Sequence, residues 1–333
     1  MRIAKKLLSL LTVTALTVSL TACGSNTSDS SKKSSSNKKY SIGICQLVEH
    51  NALDSATKGF QDTLKEKLGK DNVEFDLQNA QGESTNCSTI CNGFVTNNVD
   101  LIMANATGAL QAASQATAEI PIVGTSVTDY GTALNIKKWT GKTGSNVTGT
   151  SDLAPIDQQE DMIVELFPNV KKVGILYCSS EPNSSYQADL MIKELKKDNI
   201  DYKVYTAADS NEIQSITTSA CDECDVLYVP TDNTMASSAE TIKNIAVPAG
   251  IPMVAGEAGV CAAGVATLSI DYYDLGCKTA EMAYDILKNG KKPANTEIAF
   301  AAKFTKLYNE ENCKALGVKI PDDYEKLPSK ENK

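Results

Sequence analysis

One histidine, one tryptophan and six phenylalanines occur among 333 residues, and each scarcity weakens a class of function. A catalytic or structural metal needs three or four converging ligands, so His50, even beside Glu49, points to no metal. One histidine in a loop, without a GxSxG elbow or a nucleophile at fixed spacing, does not make a hydrolase either. No P-loop is present, so any ATPase acting with this chain must be another chain. Sugar binders usually stack a pyranose on Trp or Phe, whereas Trp139 falls in an irregular segment and Phe is rare; a sugar is therefore the weaker expectation. No apolar run after the first twenty-odd residues is long enough to span a bilayer. Positive charge is also short: 32 Lys and Arg face 41 Asp and Glu, a net charge of −9, which argues against nucleic acid as a partner.

What is present begins at the first residues. Arg2, Lys5 and Lys6 precede an uncharged run from Leu7 to Leu20, shorter than the ~20 residues of a permanent membrane helix. Residues 1–22 read as a signal peptide, and the small residues before Cys23 resemble a lipobox, whose cysteine becomes a lipidated N-terminus after cleavage. Gly24 to Lys39 reads GSNTSDSSKKSSSNKK, with nothing apolar to offset its ordering entropy. Residues 23–39 are thus expected to form the lipidated cysteine and a flexible tether. The expected location is extracytoplasmic, with lipid on Cys23 anchoring the chain to the outer face of the cell membrane.

Ten cysteines are many for an exported protein. Cys87 and Cys91 share a helix face at a spacing that does not bridge easily. Cys45, Cys178, Cys261 and Cys277 fall within or beside apolar runs and read as small core hydrophobes. Cys221 and Cys224 form a CxxC, but it precedes a strand, whereas a redox motif follows a strand and opens a helix. Zinc held by this pair with Cys87 and Cys91 has the ligand count and no supporting pattern. Reduced thiols are the expectation.

From Ser41 onward, short β-rich runs alternate with helical stretches. SIGICQL, VEFDLQNA, DLIMANA and PIVGTSVTD predict four parallel strands, with helices over Ala52–Leu68, Thr85–Val95 and Gly108–Ala118 between them. A Gly-, Lys- and Thr-rich break runs from Tyr130 to Gly149. After TGTSDLAP and a helix over Ile156–Phe167 the rhythm restarts with KKVGILYC, DYKVYTA, DVLYVPTD, IPMVAGE and VATLSID. DLIMANATGA and DVLYVPTDNT play the same part in each half. The fold class expected is α/β, two doubly wound parallel-sheet lobes joined by a hinge. Residues 40–152 and about 273–328 are assigned to lobe 1, and 153–272 to lobe 2. The cleft between the carboxyl ends of the two sheets is where such folds bind ligands.

Several stretches carry a resemblance to a known family: GICQLVEHNALDSATKGF, DLQNAQG, NVTGTSD, FPNVKKVGILY, EPNS, VPTDNT, DYYDLG and ALGVKIP. Over Tyr40 to about Pro328 the chain resembles the substrate-binding lipoproteins of tryptophan/tyrosine-type ABC importers, which have the type I periplasmic-binding-protein fold. VPTDNT followed some forty residues later by DYYDLG is its most specific part. The resemblance implies a non-enzymatic, monomeric receptor without cofactor, partnered by an ABC permease and an ATPase, often with an aromatic amino acid as ligand. The cysteines and the GEAGVC stretch around Glu257 depart from the pattern. Nucleosides, branched-chain amino acids, and ligand sensing without transport stay open as alternatives.

A zwitterionic amino acid needs donors at its carboxylate and acceptors at its ammonium. Thr107 and Gly108 open a helix after the third strand, and Ser126 and Thr128 follow the fourth; these are the expected carboxylate donors, although Thr107 also reads as a plain N-cap. Asp232 and Glu257, at strand ends of the second lobe, are the expected ammonium partners, with helix capping the competing role for Asp232. Glu49 and Asn79 are expected to face the same cleft, Ser180, Asn183 and Ser184 to close from the far side, and Asp271 to contact ligand or organise the hinge.

Overall fold

The computed structural model describes residues 38–328. The expected signal peptide, Cys23 and most of the tether lie outside the described residues. Among the described residues no helix is long and apolar enough to cross a membrane.

The first lobe carries β1 (Tyr40–Gln46), α1 (Asn51–Leu68), β2 (Val73–Asn79), α2 (Ser84–Thr96), β3 (Leu101–Asn105), α3 (Thr107–Ala116), β4 (Ile122–Val127), α4 (Tyr130–Ala133) and β5 (Val147–Ser151). The second carries α5 (Ile156–Leu166), β6 (Lys172–Cys178), α6 (Pro182–Lys197), β7 (Asp201–Ala207), α7 (Ile213–Glu223), β8 (Val226–Val229), α8 (Asn233–Ser237), α9 (Ala239–Ala249), β9 (Met253–Ala255) and β10 (Ala266–Ser269). Every residue of β3 and β4 is buried, because helices cover both faces of a parallel sheet, and the near-continuous apolar runs follow from that. The chain then continues through α10 (Tyr272–Asn289), β11 (Ala299–Phe300), β12 (Thr305–Tyr308), α11 (Glu310–Leu316) and β13 (Glu325–Lys326).

The sheets have the orders β11-β5-β4-β3-β1-β2 and β13-β12-β10-β9-β8-β6-β7. Each therefore repeats the doubly wound order 2-1-3-4-5, with the switch point between its first and third strands. The two α/β lobes expected from the sequence are thus present. Two details differ. Val147–Ser151, read from the sequence only as a lead into a helix, is a fifth parallel strand beside β4; its Thr, Gly and Ser content hides it, yet it is buried throughout.

The closing segment does not all return to the first lobe. Helix α10 packs along α1 and β11 pairs with β5, but β12 runs antiparallel to β10, and Cys313 and Tyr324 join the core of the second lobe. The chain therefore crosses between the lobes three times: after β5, after β10 and after β11.

All nine described cysteines are free. Cys45, Cys87 and Cys91 are packed together in the core of the first lobe, and no group of His, Cys, Asp or Glu among the described residues is arranged to hold a metal ion.

Candidate functional site

Parallel strands end in loops on one side of each sheet, and the two sets of loops meet. His50 of the first lobe lies 3.2 Å, Nε2 to Oδ1, from Asn233 of the second. Gln187 Nε2 donates to the Thr128 hydroxyl across the same seam at 3.5 Å, and α4 touches α6.

On the first-lobe side the backbone is strained at two adjoining places. Ala106, between β3 and α3, has φ 92° and ψ 161°, a region normally reserved for glycine. Ser126 has φ 53° in a stretch of β4 whose register shifts between Gly124 and Val127. A backbone hydrogen bond from Ala106 N to Thr125 O at 3.0 Å ties the two turns together. Helix α3 starts there with no side-chain cap. The Ser126 side chain is 6% exposed, yet its hydroxyl has no hydrogen-bond partner. Thr107, next to Ala106 in sequence, is buried and Gly108 is partly buried. Strain and an unpaired buried hydroxyl both cost stability.

The second-lobe carboxylates have partners within the protein. Asp232, fully buried, accepts from Cys178 N at 2.7 Å and Met235 N at 2.8 Å. It caps α8, and burial pushes its carboxyl well above the usual carboxylate range. Glu257 accepts from Gly259 N and Val260 N, both at 2.6 Å. Both carboxylates thus accept N–H groups at the start of a helical turn, and two such bonds do not fill the lone pairs of a carboxylate. Asp271 caps α10 through Tyr273 N and Asp274 N and is exposed.

The remaining candidates divide. Asn183 and Ser184 are buried and donate to Thr231 O, so they brace the loop after β8. Ser180 is exposed, its hydroxyl 3.0 Å from Cys178 Sγ. Thr128 is buried and donates to Asp152 at 3.1 Å. Glu49 and Asn79 do meet, but in a cavity of about 220 Å³ whose lining, which includes Gln46, Asp54, Lys58 and Leu77, comes from the first lobe alone.

Three buried polar side chains went unnoticed in the sequence. Glu181 accepts five hydrogen bonds, from the backbone N and side chain of both Asn233 and Thr234 and from Asn183 Nδ2, at 2.7–3.1 Å. Gln187 donates to Thr231 O at 3.0 Å and accepts from Thr231 N at 3.3 Å. Asp152 sits at the first crossing and accepts from Tyr272, at the second crossing, at 3.1 Å, so one hydrogen bond ties two of the three hinge strands. Glu181 stands in EPNS, and Asp152 and Tyr272 stand in NVTGTSD and DYYDLG; those motifs were the available signal, but not the pairing across 120 positions.

Burial pushes the Asp152 carboxyl up to about 6 and that of Glu160 on α5 up to about 7. A raised folded-state pKa favours the protonated form, so this contribution to stability is full below the ordinary carboxylate range and is lost as pH rises through about 6 to 7. The melting temperature should therefore rise as pH is lowered from about 8 to about 5. Asp152→Asn should flatten part of that rise, with its largest gain, on the order of 2–3 kcal/mol, at the alkaline end. Melting curves of the variant that parallel the wild type across this range would exclude Asp152 as a source.

The model of the ABC transporter substrate binding protein family matches residues 41–332. A tyrosine-binding protein of Clostridioides difficile is 39% identical over 339 residues, covering 99% of this chain and 98% of its own. The crystal structure of an ABC domain in complex with L-Trp from Streptococcus pneumonia superposes with a TM-score of 0.81 at 34% identity, over 86% of this chain and 97% of that one. The ligand-free, open structure of a substrate binding protein with adhesive properties from Clostridium difficile, 36% identical over 87% of this chain and all of that one, gives 0.67. At like identity, the chain superposes better on the L-Trp complex than on the open protein. Its sequence from end to end, its two parallel-sheet lobes and its loop-lined seam agree, and the chain belongs to the family of ABC transporter substrate-binding proteins, which bind and do not catalyse.

Proposed function

We propose that this protein captures an amino acid with an aromatic side chain between its lobes and presents it to an ABC importer. The observation that carries the reading is the Ser126 hydroxyl, buried without a partner on strained backbone beside the uncapped start of α3. Backbone N–H groups at a helix start and a free hydroxyl make a carboxylate cradle. The tyrosine-binding relative and the L-Trp complex support an aromatic side chain. Asp232 and Glu257 each accept two backbone N–H groups and keep lone pairs for a further donor, so both stay candidate partners for the ammonium.

A thermal-shift panel of the twenty amino acids, nucleosides and sugars tests this, with L-Trp and L-Tyr expected to give the largest shifts. Ser126→Ala should leave the ligand-free protein as stable as wild type or slightly more so, because it deletes an unpaired buried group. It should nevertheless weaken binding by about 1–2 kcal/mol. A variant with wild-type affinity by calorimetry would remove Ser126 from the site.

Anchoring by lipid on Cys23 belongs to the same proposal, and Cys23→Ala should shift the protein from the membrane to the soluble fraction. Retention in the membrane pellet would refute the anchor.

A further inference from the structure

His50 is the chain's one histidine, and so far only its contact across the seam has a role. It precedes α1 with extended backbone, and its side chain forms no capping hydrogen bond. Its Nε2 instead reaches Asn233 Oδ1 in the other lobe at 3.2 Å. The orientation of that amide is fixed from behind: Asn233 Nδ2 donates to Glu181 Oε2 at 2.7 Å, and Glu181 accepts from every group around it. With the nitrogen turned to Glu181, the oxygen faces the imidazole, and an oxygen there requires a proton on Nε2. In neutral imidazole the other nitrogen is then a bare acceptor. That atom, Nδ1, is buried and has no partner in the protein.

We propose that His50 Nδ1 accepts a hydrogen bond from a donor of the bound ligand, with Asn233 and Glu181 as positioning residues that hold the imidazole in its accepting tautomer. The inference rests on the amino-acid reading above. Asn233 and His50 belong to different lobes, so the hydrogen bond that locks the tautomer forms only when the lobes meet. A lone histidine suffices for this role, whereas a metal or a hydrolytic triad requires more. The donor is either the ligand's ammonium or an O–H or N–H of its side chain.

Because one imidazole is present, a protein labelled with ¹⁵N-histidine gives a single pair of side-chain nitrogen resonances. Saturation with L-Trp or L-Tyr, or with whichever amino acid of the panel binds, should show protonated Nε2 and an unprotonated Nδ1 shifted in the direction of an accepted hydrogen bond. Two variants separate contact from latch. His50→Gln keeps an amide near the Nε2 position but nothing at Nδ1, and should lose about tenfold or more in affinity. His50→Asn places a carbonyl near Nδ1 without reaching Asn233, and should lose less. If the desamino analogue of the bound amino acid loses nothing between wild type and His50→Gln, the ammonium is the donor; if L-Phe loses nothing, the side-chain O–H or N–H is. A saturated complex with its proton on Nδ1, or His50→Gln binding as wild type, overturns the assignment while leaving the amino-acid reading intact. Binding of no amino acid at all overturns that reading and this role with it.

Discussion

Glu181→Ala should lower the unfolding free energy by about 3–5 kcal/mol, the largest loss expected of any polar substitution at the seam. The side chain is 7% exposed, and its removal strands the four donor groups that converge on it from Asn233 and Thr234, while Asn183 keeps Thr231 O. Water reaches few of them, so each retains much of its desolvation cost. Glu181→Gln keeps one carbonyl but turns an NH₂ toward groups that are themselves donors, and should fall between the two. Urea titration measures the difference; a loss below about 1 kcal/mol would mean that the loop after β6 refolds around the gap. The same variant frees the Asn233 amide, so its ligand affinity should fall even where the protein is still folded.

Gly276→Ala should be destabilising by about 1–3 kcal/mol although alanine is the better helix former. A Cβ at Gly276 would lie 2.0 Å from the Ala56 carbonyl oxygen, and one at Gly59 would lie 2.1 Å from the Tyr273 oxygen. The two glycines are what let α10, returning from the second lobe, lie directly on α1. A methyl at either forces the helices apart along their whole contact. Gly93 in α2 is the control: nothing lies within 4 Å of its added Cβ, so Gly93→Ala should stabilise by about 0.5–1 kcal/mol. Opposite signs from one chemical change would show that contact, not helix propensity, governs position 276. A Gly276→Ala protein melting at or above the wild-type temperature would refute the close approach.

Much of the fold was legible because its cause is local. Strands buried on both faces must be apolar throughout, and the helices between them must keep one apolar side, so the alternation of SIGICQL, DLIMANA and DVLYVPTD with helical stretches announced parallel sheets. Thr107 at the start of α3 was placed correctly for the same reason. The fifth strand was missed because NVTGTS is buried by neighbours, not by its own apolar content. The path after Phe300 was misread because FTKLYN carries no mark of which sheet it will join.

The functional side chains divide along the same line. Asp232 and Glu257 were read as ligand groups, and the structure adds capping bonds to both. A carboxylate after a strand looks identical in both roles until the nearby N–H groups are known, and one of those for Asp232 belongs to Cys178, 54 positions away. Glu181 and Asp152 were passed over because a buried carboxylate is recognisable only by the donors that surround it. Sequence alone determined the two-lobed α/β architecture and the acidic, histidine-poor character of the chain, since periodicity and composition act within a few residues of each other. Tertiary structure decided which polar groups find partners within the protein and which stay unpaired, because hydrogen-bond satisfaction is settled by neighbours brought from distant parts of the chain.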